Sequence, residues 1–367
     1  PNPSLLTKAL KHFFKVFLSV NAVIIGFFTS IAVIGVFSAI VASDETATQS
    51  SAVSSDYQVL VGEDDAEHQF ASIAIDGIIL GDRTDFEEIF EVFTSGGVTF
   101  GYDIKDELYS LAEEEDVAGV ILEINSPGGT IFGTQAIVDG VSYYKQQTGK
   151  PVVAYVGSIA ASGGYWAAVS ADEIIADAGT TIGSIGVITG PVKFYDGVLS
   201  EDGGAFIGGV ETKNGVQTTY FTAGEGKDMG NPYRPMTDRE RQVLQGAVDS
   251  SHSTFVDYVS ERRAVDRSRV INEWGGFIYN DIQAVQMGMV DSRGSKDAAY
   301  SVLAERAGVA TEDSAIIRYH TGGGFFDQIF GVAKEFRTEL KANRVAGGCL
   351  FSQHVMAYHG DLQGLCF

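Results

Sequence analysis

The middle of the chain alternates between two hydrophobic patterns, one typical of strands and one typical of helices. Short apolar runs rich in β-branched residues predict strands at Gln69–Asp76, Val117–Ile124, Val152–Val156 and Glu173–Ala176. Apolar residues at helical spacing predict helices at residues 85–94, 103–114, 132–147, 165–170, 238–263 and 266–274. Strands that alternate with helices indicate an α/β fold with a parallel sheet and crossover helices.

The N-terminal part of the chain has a different pattern. The run Val16–Ser43 contains no charged side chain, and about 20 such residues suffice for a helix to cross a membrane. Lys8, Lys11 and Lys15 precede the run, so the positive-inside rule places the N-terminus in the cytoplasm and the bulk of the chain outside. A cleaved signal peptide is the alternative. Its apolar region normally spans about 7–15 residues, so an uncleaved signal anchor is favoured.

These patterns divide the chain into segments. Serine, threonine and acidic residues dominate the stretch after the apolar run, which is typical of a linker. Near the C-terminus, an amphipathic helix at about residues 325–340 either packs on its own domain or a second copy, as we expect, or binds a membrane or partner groove. The predicted segments are a cytoplasmic N-terminus (1–15), a transmembrane signal anchor (16–43), a linker (44–67), a folded domain (68–310) and a C-terminal amphipathic helix and tail (311–367).

Composition narrows the classes of function. The chain has 367 residues, and its 25 Lys and Arg against 48 Asp and Glu give a formal net charge of −23. This charge argues against a nucleic-acid partner, because affinity for a phosphate backbone requires a basic surface. An apolar fraction of 45% excludes disorder over most of the length. The two cysteines, Cys349 and Cys366, lie close to the C-terminus, so no disulfide framework holds the fold.

Two glycine-rich segments follow predicted strands, and open α/β sheets bind ligands at the carboxyl ends of their strands. The first segment, Asn125–Gly129 (NSPGG), has paired glycines that can present bare N–H groups to an oxyanion. The second, Ala160–Gly164 (AASGG), places the Ser162 hydroxyl beside the N–H of Gly163. A serine in such a turn is by itself more often a helix cap than a nucleophile. The two segments together favour a catalytic site.

A serine nucleophile needs a base to accept its proton. None of the six histidines lies in or between the two segments, although a triad assembled in space stays compatible with the sequence. Lysine is the alternative base, and the lysines between Ser162 and Lys296 are Lys193, Lys213 and Lys227. A lysine accepts a proton only when neutral, so its reference pKa of about 10.4 would have to be lowered by burial.

Lys227 lies in a glycine-rich stretch, FTAGEGKDMGNP, that invites comparison with a phosphate-binding loop. A Walker A motif requires a glycine five residues before Gly226 and a Ser or Thr after the lysine. This chain has Phe221 and Asp228 at those positions. The stretch is therefore not expected to bind a nucleotide.

Four segments of the chain, in order, resemble the signal peptide peptidase A family of membrane-bound serine proteases. The segments are INSPGGT, YVGSIAASGGYWAAVSADEIIAD, TTIGSIGVITG and GKDMGNPYRPMTDRER, and the similarity extends from about Gln69 to Gly294. The resemblance implies a Clp/crotonase-like fold for the α/β domain and a Ser-Lys dyad. It makes residues 68–310 a protease domain that needs no cofactor and no metal.

The resemblance also implies roles for individual residues. Ser162, in the A-S-G-G segment, would be the nucleophile, and Lys227 would be the general base. The oxyanion donors would be the N–H of Gly163 and that of Gly129 or Gly128.

Ser184, in the segment G-S-I-G-V, would hydrogen-bond the lysine and orient it. The chain departs from the family at about Asp202–Thr218, where it carries extra sequence, so Lys213 stays open as an alternative base. It departs again at Gly275–Tyr279 (GGFIY), where relatives often have G-R-V-Y; this difference affects local packing rather than catalysis.

The resemblance also implies an oligomeric state and a class of substrates. Members with one copy of the domain form octamers in which neighbouring subunits supply the serine and the lysine, so the resemblance implies a homo-oligomer. Its substrates would be apolar peptides, such as cleaved signal peptides. We therefore predict a serine endopeptidase anchored in the cell membrane by one helix, with its catalytic domain outside. Two alternatives stay open: a crotonase-like acyl-CoA enzyme and a non-catalytic oligomeric membrane scaffold.

Overall fold

A computed structural model of the chain describes residues 57–82, 97–190, 192, 221–231, 234–319 and 356–358. By its internal contacts the chain divides after Ser55, and all of these residues belong to the second unit, which begins at Asp56. Among the described helices, none combines the length and the apolar composition needed to cross a membrane. Several predictions fall outside the described residues, namely the signal anchor, most of the linker, the helices at 85–94 and 325–340, the extra segment at 202–218, Lys193 and Lys213.

The described residues form a sheet with helices packed against it. The strands are β1 (Tyr57–Val61), β2 (His68–Leu80), β3 (Val98–Phe100), β4 (Val117–Thr130), β5 (Val152–Ala161), β6 (Glu173–Ala176), β7 (Thr181–Gly183), β8 (Ile278–Asn280), β9 (Ser292–Arg293), β10 (Ser314–Tyr319) and β11 (Met356–Tyr358). The helices are α1 (Gly101–Leu111), α2 (Ile131–Thr148), α3 (Gly163–Ala168), α4 (Asp238–Arg262), α5 (Arg267–Arg269), α6 (Asp281–Met287) and α7 (Lys296–Ala307).

The sheet is mostly parallel. Its main path runs β1-β10-β2-β4-β5-β6-β9, and every neighbouring pair along it is parallel except β1 with β10. The predicted α/β fold with a parallel sheet is therefore confirmed. The strands β10 and β11 lie in residues 311–367, for which the sequence predicts a helix and a tail but no strand.

The three long central strands each have two halves that pair with different neighbours. The β2–β4 ladder shifts register between Asp76 and Ile78, at Gly77, whose φ is 68°. The β4–β5 ladder shifts between Ile124 and Ser126. Beyond these shifts β2 also pairs with β3, β4 with β11, and β5 with β7. Because a register shift of this kind bends the strand, the second halves form a distinct section of the sheet, and this section contains both glycine-rich segments.

The two faces of the sheet carry separate apolar cores. Leu122 and Ala154 belong to one core, whereas Ile121 and Val153, their neighbours in sequence, belong to the other. Helices α1 to α4 complete the first core through residues that include Leu108, Ile137, Trp166 and Phe255. Helix α7 completes the second core, for example through Leu303. Burial of both faces explains the continuous apolar runs of β4 and β5. Each fully buried aliphatic side chain contributes about 1.5–3 kcal/mol to folding.

Aromatic packing anchors helix α3, which follows Ser162. The buried ring of Trp166 stacks on that of Phe255 in α4, with centroids 4.5 Å apart and planes 7° from parallel. The hydroxyl of the neighbouring Tyr165 donates a hydrogen bond to Met289 O at 2.8 Å, and burial raises the pKa of this phenol. These contacts fix the helix on both sides, and with it the turn that contains Ser162.

Three predicted elements differ from the observed ones. The strand predicted to end at Ile124 continues to Thr130, so the NSPGG segment is a strand and not a turn. The strand predicted to end at Val156 continues to Ala161. Both extensions depend on ladder partners that are distant in sequence, which local glycine content does not reveal. The helix predicted at Asp266–Trp274 consists of α5 and a π-helical turn over Val270–Trp274.

Helices α1 and α2 approach each other closely at Gly101, and this contact predicts a loss of stability on substitution. A Cβ at Gly101 would lie 1.9 Å from Gly133 O, so Gly101→Ala should lower the free energy of unfolding by about 1–3 kcal/mol through overpacking. Gly246→Ala is the matched control. A Cβ there would meet no atom within 4 Å, and this change in α4 should raise the free energy by about 0.5–1 kcal/mol. Urea unfolding compares the two variants, and equal stability would contradict the prediction.

Candidate active site

Ser162, the predicted nucleophile, lies between β5 and α3 in a backbone conformation that favours glycine. Its φ is 53° and its ψ is −118°, which strains a residue that has a Cβ. Its N–H donates to Gly183 O at 2.8 Å, and its carbonyl accepts from Trp166 N at 2.9 Å. The residue is fully buried, with 0% relative exposure. Hydrogen bonds on both sides of the turn therefore hold the strained serine in place.

The hydroxyl of Ser162 has one hydrogen-bond partner in the described part of the chain. Its Oγ donates to the backbone carbonyl of Gly186 at 3.2 Å. Neither a histidine nor a lysine among the described residues accepts its proton. Among the described residues of one chain, the predicted nucleophile therefore contacts a backbone carbonyl and not a base.

Gly163, a predicted oxyanion donor, is the first residue of helix α3. The N–H groups in the first turn of a helix have no carbonyl partner within that helix. The N–H of Gly163 can therefore donate to an oxyanion that forms beside Ser162.

The second predicted donor lies on β4. The N–H of Gly128 donates to Ser126 Oγ at 3.1 Å, and that hydroxyl donates in turn to Gly77 O at 2.6 Å. Gly128 has a φ of 97°, a backbone conformation that glycine adopts without the steric cost of a Cβ. Gly129 is required for a different reason, because a Cβ there would lie 1.9 Å from Ile79 O. Gly129 therefore permits the close approach of β4 to β2.

The structure brings the two glycine-rich segments side by side. Ser126 pairs with Ala160 in the β4–β5 ladder, and a Cβ on Gly164 would lie 2.4 Å from Ser126 O. The start of α3 therefore packs directly on the backbone of β4. A Cβ on Gly164 would separate Ser162 from the strand that carries the predicted oxyanion donors.

One edge of the glycine-rich part of β4 pairs with a segment from the C-terminal region. β11 is antiparallel to it, with Met356 opposite Thr130 and Tyr358 opposite Gly128. β11 also contacts α3, the helix that begins next to Ser162. The edge of β4 near the predicted nucleophile thus accepts an extended backbone in antiparallel orientation.

Ser184, predicted to orient the lysine, follows β7 and also has a positive φ of 53°. Its N–H donates to Phe277 O at 2.6 Å, and its carbonyl accepts from the N–H of Gly186 at 2.8 Å. Its side chain is buried, with 6% exposure. Ser184 and the carbonyl that accepts from Ser162 Oγ therefore belong to the same short turn.

Lys227, the predicted base, lies in an exposed loop. Its backbone N–H donates to Gly224 O at 3.3 Å, and its Nζ forms no hydrogen bond or ion pair with any residue that the structure describes. The structure thus brings Ser162, Gly163 and the Gly128–Gly129 strand together. Within the described part of one chain, it does not join Lys227 to Ser162 by a hydrogen bond.

Sequence reasoning missed two groups that support this site. The hydroxyl of Ser126 ties Gly128 to Gly77, and the Ser-Pro-Gly order could have suggested such a side-chain turn. Arg234 joins Asp228, next to Lys227, to Glu240 in α4. The spacing of Thr237 and Glu240 is that of a capping box and indicates the helix start, but nothing in the sequence indicates that Glu240 also binds Arg234.

Comparison with known proteins supplies the family. The family model described as "Peptidase family S49" matches residues 144–310, and the one described as "Clp protease" matches residues 90–175. A Methanocaldococcus jannaschii protein described as a protease is 31% identical over 62% of this chain and 70% of its own length. An Enterococcus faecium protein described as the signal peptide peptidase SppA is 34% identical over 58% of this chain and 57% of its own length.

Among solved structures, a mutant of ClpP1 from Listeria monocytogenes matches with a TM-score of 0.38 and 12% identity, over 62% of this chain and 94% of that one. The family assignment depends on the sequence matches, above all on the M. jannaschii relative, most of whose length this chain covers. With the S49 match across the segment that contains Ser162 and Lys227, these matches establish that the chain belongs to peptidase family S49, the signal peptide peptidase A family.

Proposed function

We propose that this protein is a membrane-anchored serine endopeptidase that cleaves apolar peptides, with Ser162 as nucleophile and Lys227 as general base. The observation that carries the proposal is the position of Ser162. It is a buried serine in a strained turn, followed by a helix N-terminus and next to a strand edge that accepts an extended backbone. Strained backbone of this kind concentrates at functional sites, and extended peptides can bind by adding a strand to an exposed sheet edge.

In the proposed mechanism Lys227, in its neutral form, accepts the proton of Ser162 Oγ as the oxygen attacks a peptide carbonyl. The N–H groups of Gly163 and Gly129 stabilise the oxyanion of the tetrahedral intermediate. Gly128, the alternative to Gly129, would first have to break its hydrogen bond to Ser126 Oγ. Lys227 then donates the proton to the leaving amine, and the peptide C–N bond breaks. A water molecule that gives its proton to the same lysine hydrolyses the acyl-enzyme and restores Ser162.

Two observations support a peptide as the substrate. β11 shows that a chain segment can pair antiparallel with the Gly128–Thr130 edge, and a substrate that displaces β11 would pair in the same way. Apolar side chains are exposed near the turn of Ser184, among them Phe277 at 72% exposure, Ile278 at 41% and Ile188 at 42%. Exposed apolar groups around a site favour apolar ligands, which suits signal-peptide remnants.

We propose further that the enzyme is a homo-oligomer, with an octamer as the expected form, and that Lys227 reaches Ser162 of a neighbouring copy. Lys227 lies in an exposed loop, and Ser162 Oγ bonds to Gly186 O within its own chain. The first half of the adjoining helix α4 is also mostly exposed. A base supplied by a second copy would account for all three features. The proposed anchor, residues 16–43, would hold the assembly at the cell membrane with its catalytic domains outside.

The first prediction from the proposed function concerns the nucleophile and the base. Ser162→Ala should abolish cleavage of an apolar peptide and labelling by a fluorophosphonate probe, because both need the Ser162 hydroxyl. Ser158→Ala is the matched control, since Ser158 is an exposed serine on the same strand, and it should keep both. Lys227→Ala should lower the cleavage rate by about two orders of magnitude or more.

Two outcomes would contradict these assignments. Loss of activity in Lys213→Ala, with activity kept in Lys227→Ala, would move the base to Lys213. Absence of fluorophosphonate labelling in the wild type, with the assembly intact, would favour the acyl-CoA enzyme or the non-catalytic scaffold.

The second prediction tests whether the dyad forms between copies. Mixed assemblies of inactive Ser162→Ala and inactive Lys227→Ala chains should recover activity, because some neighbours then pair an intact serine with an intact lysine. The measurement is peptide cleavage after the two variants are co-expressed with different affinity tags and purified as hetero-assemblies. Hetero-assemblies that stay inactive would place both groups of the dyad in one chain.

The third prediction uses the strain at Ser162. Ser162→Gly should be more stable than Ser162→Ala by about 1 kcal/mol, because glycine relieves a positive φ that costs about 1–3 kcal/mol. Ser301, in the exposed middle of helix α7, is the control. There the order should reverse, with alanine more stable than glycine by about 1 kcal/mol. Urea unfolding of the four variants measures the difference, and the same order at both positions would rule out strain at Ser162.

A further inference from the structure

The loop that carries Lys227 is built from tight turns. The N–H groups of Lys227, Met229 and Asn231 each donate to the carbonyl oxygen three residues earlier, at 3.0–3.3 Å. These bonds are internal to the loop, so they shape it without attaching it to the rest of the domain. Its attachment to helix α4 comes from side chains.

Arg234 provides the main attachment, with two bidentate ion pairs. Its Nε and Nη2 donate to the two carboxylate oxygens of Asp228 at 2.9 and 2.7 Å. Its Nη1 and Nη2 donate to the two oxygens of Glu240 at 2.8 and 2.5 Å, and Nη1 also donates to Pro235 O at 3.1 Å. Paired, planar contacts of this kind fix geometry as well as charge. We call Arg234, Asp228 and Glu240 the Arg234 clamp.

The clamp is fixed at its helix end. The side chain of Glu240 is only 7% exposed, and it also accepts the N–H of Thr237 at 2.8 Å in the capping box of α4. At its loop end the clamp holds Asp228, the residue that follows Lys227. A second ion pair, Arg239–Glu225 at 3.0 Å, joins the same loop to the same helix. Both of its side chains are at least 70% exposed, so it should contribute little.

We propose that Arg234 is a positioning residue, which holds Lys227 where it can accept the proton of Ser162. The proposal rests on the proposed function, because it takes Lys227 to be the base. Its basis is that the Lys227 side chain has no polar partner among the described residues, so its location depends on the loop. Proton transfer requires contact distance, and a displacement of about 1 Å can cost about 100-fold in rate.

The clamp persists at the pH values where a lysine base works. Hydrogen bonds from Arg234 lower the pKa of Asp228 and that of Glu240 to about 2. A carboxylate whose pKa is lowered on folding contributes stability above its unfolded pKa of about 4 and loses it as the pH falls toward 2. Between pH 5 and 10 both partners of Arg234 are therefore ionised, and a pH dependence of catalysis in this range does not come from opening of the clamp.

The test compares Arg234→Gln, Arg234→Lys and the control Arg239→Gln in the full-length assembled protein. Arg234→Gln should lower kcat by about tenfold or more with a smaller change in KM, because the base is displaced rather than the peptide site. It should also move the rising limb of the pH–rate profile, along which the lysine base deprotonates, to higher pH, because two carboxylates without their cation favour the protonated form of a neighbouring lysine. Arg234→Lys should restore only part of the rate, and Arg239→Gln should match the wild type.

Two further measurements separate the clamp from the proposed base. In a Lys227→Ala background, Arg234→Gln should cause no additional loss of activity; an additional loss would make Arg234 merely structural and overturn the proposal. Hydrogen exchange of the peptide 224–231 should accelerate in Arg234→Gln and not in Arg239→Gln, whether or not Lys227 is the base. Unchanged exchange would overturn the clamp, whereas an active Lys227→Ala variant would overturn the proposed base.

Discussion

The parallel pairing of β4 between β2 and β5, interrupted by register shifts on both sides, is the constraint on which the rest of this molecule depends. The first halves of these strands build an ordinary two-faced α/β core. After the shifts beside Ile78 and Ser126, the same strands acquire new neighbours. The glycine-rich end of β4 therefore lies next to the end of β5. The segment that begins with the serine after β5 packs closely against the β4 backbone.

This close packing of backbone segments requires glycine at particular positions. Gly129 lies against the carbonyl of Ile79 in β2, and Gly164 lies against the carbonyl of Ser126 in β4. A side chain at either position would push these neighbouring segments apart. Ser162 itself keeps a side chain where the backbone favours glycine. The surrounding structure tolerates the resulting strain of about 1–3 kcal/mol, because two backbone hydrogen bonds and the stacked Trp166–Phe255 pair hold the turn. A serine in such a position is costly to stability, and the proposed role of Ser162 as nucleophile would account for that cost.

Charged side chains next to the Lys227 loop are paired with one another. The chain carries a net charge of −23, yet the carboxylate beside Lys227 and the one at the start of α4 share a single guanidinium. The carboxylate that follows Lys227 in sequence is thereby bound in bidentate contacts. The Gly-rich loop that carries Lys227 is in this way attached to helix α4 through side-chain ion pairs.

The sequence by itself determined the class of fold, because the continuous apolar runs of buried strands and the 3.6-residue spacing of helices can be recognised without knowing their packing partners. It also provided the candidate motifs for the proposed chemistry, which are AASGG around Ser162, NSPGG before α2 and the Gly-rich stretch around Lys227. It missed that NSPGG is a strand, that Ser314–Tyr319 and Met356–Tyr358 join the sheet, and that Arg234 bridges Asp228 and Glu240. Each of these depends on the register and approach of segments far apart in the chain. Only the tertiary structure decided them, because a hydrogen bond or an ion pair is set by distances that local sequence does not contain.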